Sequence, residues 1–221
     1  MSDHSKQARS GGHQANSLDE LARYSGDPWG PENPYYEHAE QYIQQSWEQV
    51  IWPFIGHLAD FTHTLDLAAG RGRNSEFLLR YAETLAIMDI QPGNIEVCRA
   101  RFADQPDISY YVCNGYDLQP LADASLTFIY CFDAMVHFDS DVVRSYLKDT
   151  RRVLCPGGRA FYHHSNYTDG HDWRSNPHGR NFMSREMFGH YAVKEGLTVV
   201  RQELLNWGGE ASLDCLSMIE K

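Results

Sequence analysis

The chain has 221 residues, 42% of them hydrophobic, and carries a net charge of −11 from 30 acidic and 19 basic residues. That length suits one domain with a substantial core. No stretch approaches the roughly 20 apolar residues of a membrane span, so no membrane association is expected. The negative balance disfavours a nucleic acid partner, whose phosphates it would repel. Five scattered cysteines, none spaced C-x-x-C, point to reduced thiols rather than a disulfide framework or a zinc knot. The polar stretch Met1–Asn16 has no apolar h-region, so no secretory signal is expected and a cytoplasmic location is.

Residues 1–16 lack apolar periodicity and read as a disordered tail. Residues 17–60 read as an N-terminal lid or helical segment. Pro28, Pro31 and Pro34 keep its first part extended or turned. Beyond them Ala39, Tyr42, Ile43, Trp47, Val50, Ile51 and Phe54 recur at helical spacing, predicting an amphipathic helix that ends near Leu58. Residues 61–221 then alternate strands and helices. Strands are predicted at Thr64–Ala68, Leu85–Met88, Ile108–Cys113, Leu126–Phe132 and Arg159–His164. Helices are predicted at Asn74–Tyr81, Pro92–Phe102, Asp139–Leu154 (capped near Ser140) and Ser184–Glu195. Leu197–Leu204 and Leu213–Ile219 give two closing strands. This order implies an α/β fold: a mostly parallel seven-stranded sheet, helices on both faces, and an antiparallel C-terminal strand. Ligands of such sheets sit beyond the carboxyl ends of the strands.

The sharpest motif is TLDLAAGRGRNSEFLL, residues 64–79. A buried strand ends at Asp66, and Gly70 and Gly72 turn the chain into a helix. Glycines there let a ligand approach the main chain at a helix N-terminus. Ser75 stands where a dinucleotide fingerprint would want its third glycine, and Asp66 would repel a pyrophosphate. A cofactor with an ammonium group and no phosphate fits better. Asp89 closes the second strand 17 residues after Gly72, where an acid accepts hydrogen bonds from a ribose.

From about Phe61 to Lys221 the chain resembles the class I S-adenosylmethionine-dependent methyltransferases, of the small-molecule type. DLAAGRG is similar to the family's glycine motif, with Ala68 where glycine is commoner; MDI matches its ribose-binding strand end; RVLCPGG, residues 152–158, matches the segment before its fifth strand. The resemblance implies S-adenosylmethionine as cofactor and S-adenosylhomocysteine as product. It places Asp66, Ala68, Gly70 and Gly72 around the methionine moiety, Asp89 and Ile90 at the ribose, and Asn114 and Gly115 near the adenine. Asn114 stands where the family often has an acid, with Asp117 as the other choice. The segment CFDAMVHF, residues 131–138, would lie beside the transferred methyl group and bring in Phe132.

A hydroxyl nucleophile needs a base, and histidine has a suitable pKa. His137 follows the fourth strand and His164 ends the fifth; His163 beside it reads as structural. Asp133, four residues before His137, could orient it on a shared helical face. Some O-methyltransferases of the class bind a divalent cation through E-x-x-E-H after the fourth strand. Here those positions read Asp133-x-x-Val136-His137, without the middle acid, so a divalent metal held by Asp133 and His137 is an option the sequence does not favour. The loop at 165–183 offers Asn166, Asp172, Trp173, His178, Arg180 and Asn181 to a polar acceptor. Trp29, Tyr35 and Tyr36 could close over the cofactor, their faces stabilising a sulfonium.

The resulting expectation is methyl transfer to a polar small molecule, a sugar or secondary-metabolite hydroxyl foremost. Its rivals are an N-methyltransferase for small amines, a non-catalytic cofactor-binding module and a dinucleotide oxidoreductase. The sequence leaves the oligomeric state open, with a homodimer among the options.

Overall fold

The computed structural model describes residues 17–169 and 179–221. In chain order the elements are α1 (Leu18–Gly26), a 3-10 turn (Asp27–Trp29), α2 (Tyr35–Ser46), a π-helical turn (Trp47–Ile51), α3 (Trp52–Ile55), β1 (His63–Leu67), α4 (Ser75–Leu78), β2 (Thr84–Asp89), α5 (Pro92–Arg101), β3 (Ile108–Val112), β4 (Leu126–Cys131), a 3-10 turn (Met135–His137), α6 (Ser140–Val153), β5 (Leu154–Ser165), α7 (Arg185–Lys194), β6 (Thr198–Trp207) and β7 (Glu210–Glu220). The seven strands form one sheet in the order β3-β2-β1-β4-β5-β7-β6. All pairs are parallel except those of β7, which runs antiparallel to both β5 and β6. The expected α/β architecture is therefore the one present. None of the described helices is long and apolar enough to cross a membrane.

Both faces of the sheet are buried, and strand alternation sorts the side chains between them. Leu65, Leu67, Ile129, Cys131, Ala160 and Tyr162 pack with Leu21 of α1, Val143 of α6 and Phe188 of α7. Ile87, Phe128, Tyr130 and Phe161 pack with Trp47, Ile51, Phe54 and Cys98 on the other face. Trp47 anchors that second layer, its ring stacked on Phe77 at 5.0 Å and on Tyr81 at 6.5 Å.

Several boundaries differ from the sequence expectation. Helix α1 was not anticipated, although its capping box is written in the sequence. Ser17 Oγ accepts from Glu20 N–H, and Glu20 accepts from Ser17 N–H. Helix α4 is one short turn inside a longer turn region, because the glycine loop consumes the residues before it. The cap of α6 falls near Ser140 as expected, on Asp139, which accepts from Asp141 N–H at 2.8 Å. Strand β5 starts at Leu154, directly after α6, and absorbs the Pro156-Gly157-Gly158 kink as a register shift against β4. The N-terminal helix is broken by the π turn and Pro53, rather than running evenly to Leu58.

Candidate functional site

A cleft of about 780 Å³, its open mouth included, lies where the carboxyl ends of β1, β2 and β4 meet the N-terminal segment. The turn after β1 gives it a backbone floor. Ala68 and Gly70 both have left-handed backbone, φ 56° each. At Ala68 this backbone carries a strain that glycine would avoid. Across the floor stands Asp89. Its Oδ2 accepts Gly70 N–H at 2.8 Å; its Oδ1 accepts Gln91 N–H at 2.8 Å and Asn94 Nδ2–H at 3.1 Å. Burial pushes this carboxyl up, against those donors. Three of about four acceptor positions are thus used, and one on Oδ2 remains. Ile90, Cys113, Gly115, Val142 and Tyr146 make the apolar slot beyond it. Gly115 is required there: at φ 86°, a Cβ would lie 2.5 Å from Ile90 and 2.9 Å from Ala22.

The N-terminal segment covers this floor and is pinned to it. Asn94 Nδ2 donates to Trp29 O and Tyr36 Oη, both at 3.0 Å, and Gln91 Nε2 donates to Gly26 O at 3.0 Å. Tyr36 packs on Gly70 so closely that a Cβ at that glycine would be 2.5 Å from its ring. The sequence assigned Gly70 to ligand approach alone; the same absence of a side chain also seats the aromatic cover.

Past β4, Asp133 is the hub. Its backbone is left-handed at φ 60°, a strained state for a residue other than glycine. The strain is held by three contacts. Its carboxylate pairs with Arg73 at 2.6 Å and accepts the Tyr35 hydroxyl, and its N–H donates to His163 Nδ1 at 3.1 Å. Burial, the largest influence, opposes ionisation of Asp133, but Arg73, His163 and the Tyr35 hydroxyl together outweigh it and hold the carboxyl below its ordinary range. Burial next to that carboxylate raises the Tyr35 hydroxyl to about 12. Arg73 and Tyr35 were not picked out together by sequence reasoning, because one sits in the glycine loop and the other 38 residues earlier. The available signal was the pair Arg71 and Arg73 standing within the glycine loop.

His137 lines the cleft, 8% exposed, with its ring 5.0 Å from that of Trp29. Its Nδ1 lies 2.9 Å from Gly179 O. A carbonyl only accepts, so Nδ1 carries a proton and Nε2 is the basic nitrogen of the neutral ring. The orienting group is therefore Gly179, not Asp133 as the four-residue spacing suggested.

Other expected site residues are placed elsewhere. Asp66 does not line the cleft; it is buried under α4 and accepts Ser75 Oγ–H at 2.6 Å, and burial raises its carboxyl to about 7. Gly72 lies off the cleft as well, its missing Cβ making room for Phe102 at 2.7 Å. The Asn114 carbonyl oxygen is taken by the N–H groups of Tyr116 and Asp117, and Asp117 accepts from Gln119 N–H. These are turn-forming bonds, and neither residue lines the cleft. His164 is fully buried on the opposite face of the sheet from His163. It stacks on Phe188 at 4.0 Å and bonds Ser217 Oγ at 2.8 Å and Ser165 O at 2.8 Å. Burial drives its pKa down to about 3. That geometry removes it from the catalytic set. Phe132 and Ile90 do line the cleft. Asp172, Trp173 and His178 lie outside the described residues. Among the described residues, no three His, Cys, Asp or Glu side chains converge to hold a metal.

The cleft suits a phosphate-free, cationic nucleoside on its own evidence. The one cation lining it among the described residues, Arg73, is matched by Asp133, while Asp89 faces the slot. A pyrophosphate lying on this floor would face the Asp89 carboxylate, whereas a ribose hydroxyl can donate to it.

Known proteins resemble this chain in sequence and in fold. Residues 65–162 match the family described as methyltransferase domain. A stretch of 103 residues is 32% identical to the biotin biosynthesis bifunctional protein BioHC of Cellvibrio japonicus, covering 46% of this chain and 19% of that protein's length. The fold is shared with the N-methyltransferase NodS of Bradyrhizobium japonicum (TM-score 0.67, 16% identity, 91% of this chain and 98% of that one). It is shared also with geranyl diphosphate C-methyltransferase of Streptomyces coelicolor (TM-score 0.66, 17% identity, 94% and 99%). Over residues 65–162 the chain is similar to a methyltransferase domain, and its fold is the one shared by these methyltransferases of known structure.

Proposed function

We propose that this protein transfers the methyl group of S-adenosylmethionine to a hydroxyl oxygen of a polar small molecule, with His137 as general base. The cofactor supplies a methyl group already activated by its sulfonium. Asp89 would hold a ribose hydroxyl through its remaining acceptor position, and the Ala68–Gly70 backbone would lie along the amino-acid portion. Ile90, Gly115 and Phe132 would flank the nucleoside. The N-terminal segment acts as a strap whose Trp29, Tyr35 and Tyr36 exclude water from the transfer point. Its aromatic faces favour a cation beneath them.

One observation carries the reading. Among the described residues, His137 is the only histidine lining both the cofactor cleft and the adjoining chamber described below. With Nδ1–H held by Gly179 O, its Nε2 is oriented to take the proton of an attacking hydroxyl. A binding module without catalysis would have no use for that second chamber. An amine acceptor would need deprotonation but no such base in the transition state.

The test is the pH profile of methyl transfer to hydroxylated and amino acceptors. His137→Ala should lower kcat/KM toward hydroxyl acceptors by roughly 10²- to 10⁴-fold and erase the acidic limb of the profile. An unchanged acidic limb, or turnover of amines alone, would reject the oxygen-transfer reading.

A further inference from the structure

The cleft continues past Trp29, Tyr35, Asp133 and His137 into a second, open chamber of about 510 Å³, its mouth included, whose far wall is made by Arg180 and Trp207. The four shared residues mark the junction where transfer would occur, so the far wall meets the distal end of the acceptor. That wall is built rather than incidental. Asp214, fully buried, accepts Arg180 Nε–H and Nη2–H at 2.7 Å each. It also bonds His163 Nε2 at 3.0 Å. Because His163 Nδ1 accepts the Asp133 N–H, Nε2 of the neutral ring is the donor to Asp214. One continuous chain of hydrogen bonds thus runs from the transfer point to the far wall. It fixes a guanidinium that is only 12% exposed.

Arg180 spends Nε and Nη2 on Asp214, which leaves the Nη1 amino group unengaged by that carboxylate. Trp207 stands beside it, with the guanidinium carbon 5.9 Å from the ring centroid, and Trp29 stands at the junction. Both carboxylates near the chamber are matched, Asp133 by Arg73 and Asp214 by Arg180. An anionic oxygen entering the chamber therefore meets charged donors without an unmatched carboxylate.

Resting on the function proposed above, we infer that the acceptor is a planar hydroxy acid. Its ring lies along Trp29 and Trp207, its carboxylate is held by Arg180, and its hydroxyl is presented to His137. Arg180 is the specificity residue, and His163 and Asp214 are positioning residues for it.

The test uses the wild-type chain saturated with S-adenosylhomocysteine, titrated calorimetrically with 4-hydroxybenzoate and with its methyl ester. The acid should bind at least about tenfold more tightly than the ester. Arg180→Gln should bring the two to equal affinity. Trp207→Leu should weaken both alike and preserve their ratio. Equal binding of acid and ester by the wild type, or binding of neither, overturns the acceptor assignment while leaving the cofactor reading intact. Failure of S-adenosylhomocysteine itself to bind overturns both. The wild-type comparison stands even if Arg180→Gln does not fold.

Discussion

The two halves of the cleft are held together by different physics. On the cofactor side, the floor is made by backbone: the left-handed residues Ala68 and Gly70, the N–H groups received by Asp89, and the space kept by Gly115. These pieces come from short runs following β1, β2 and β3. On the acceptor side, the wall is made by side chains recruited from residues 29 to 214, joined by two buried ion pairs and a histidine bridge. Backbone scaffolds tolerate sequence change as long as the turn survives. A side-chain lattice depends on every partner, since removing one leaves a buried charge uncompensated.

The largest effect should come from cutting that lattice. Arg73→Met leaves Asp133, whose side chain is 4% exposed, without its cation. The expected loss is about 3–5 kcal/mol, lowering Tm on the order of 10 °C for a chain of this size. Thermal denaturation would check this, and an unchanged Tm would mean the pair is not buried as described.

Next in size is an acid effect from His164, which sequence position had put in the site and structure puts in the core. Its folded pKa of about 3 lies below the ordinary 6.5. A depressed pKa contributes stability that is present above 6.5 and is lost progressively as pH falls toward 3. Wild-type stability should therefore drop by up to a few kcal/mol over that window, and His164→Gln should flatten the drop without moving the pH profile of turnover. Denaturant midpoints measured from pH 7 to pH 4 separate the two outcomes; a shifted turnover profile would return His164 to the chemistry.

The smallest of these effects concerns the backbone side. Asp89→Ala removes a ribose partner and orphans the Gly70 and Gln91 N–H groups. Affinity for S-adenosylhomocysteine should fall about 10- to 100-fold in calorimetry. Unchanged affinity would take the ribose assignment away from Asp89.

This contrast also explains what could be read in advance. The alternation of strands and helices follows from periodicity, and Gly70, Asp89, Ile90 and Gly115, which line the cleft, follow from motifs contained within a turn and from the family resemblance. Asp66 misled because a strand-end acid looks the same in sequence whether it faces the ligand or, as here, Ser75 on the other side of the turn. Asn114 misled likewise, since its carbonyl serves its own turn. His163 and His164 are adjacent, and the alternation of β5 sends one toward Asp133 and the other beneath α7. Nothing local says which. The pairing of Asp214 with Arg180 and His163 joins β7, a loop and β5, a convergence that only the folded chain creates.

The floor of the cleft is expected to accept a thioether nucleoside and refuse a dinucleotide. Titrating the wild-type protein with S-adenosylhomocysteine and, separately, with a nicotinamide dinucleotide decides it: one equivalent of the former should bind and the latter should give no heat. Saturable binding of the dinucleotide, with none of the thioether nucleoside, would contradict it.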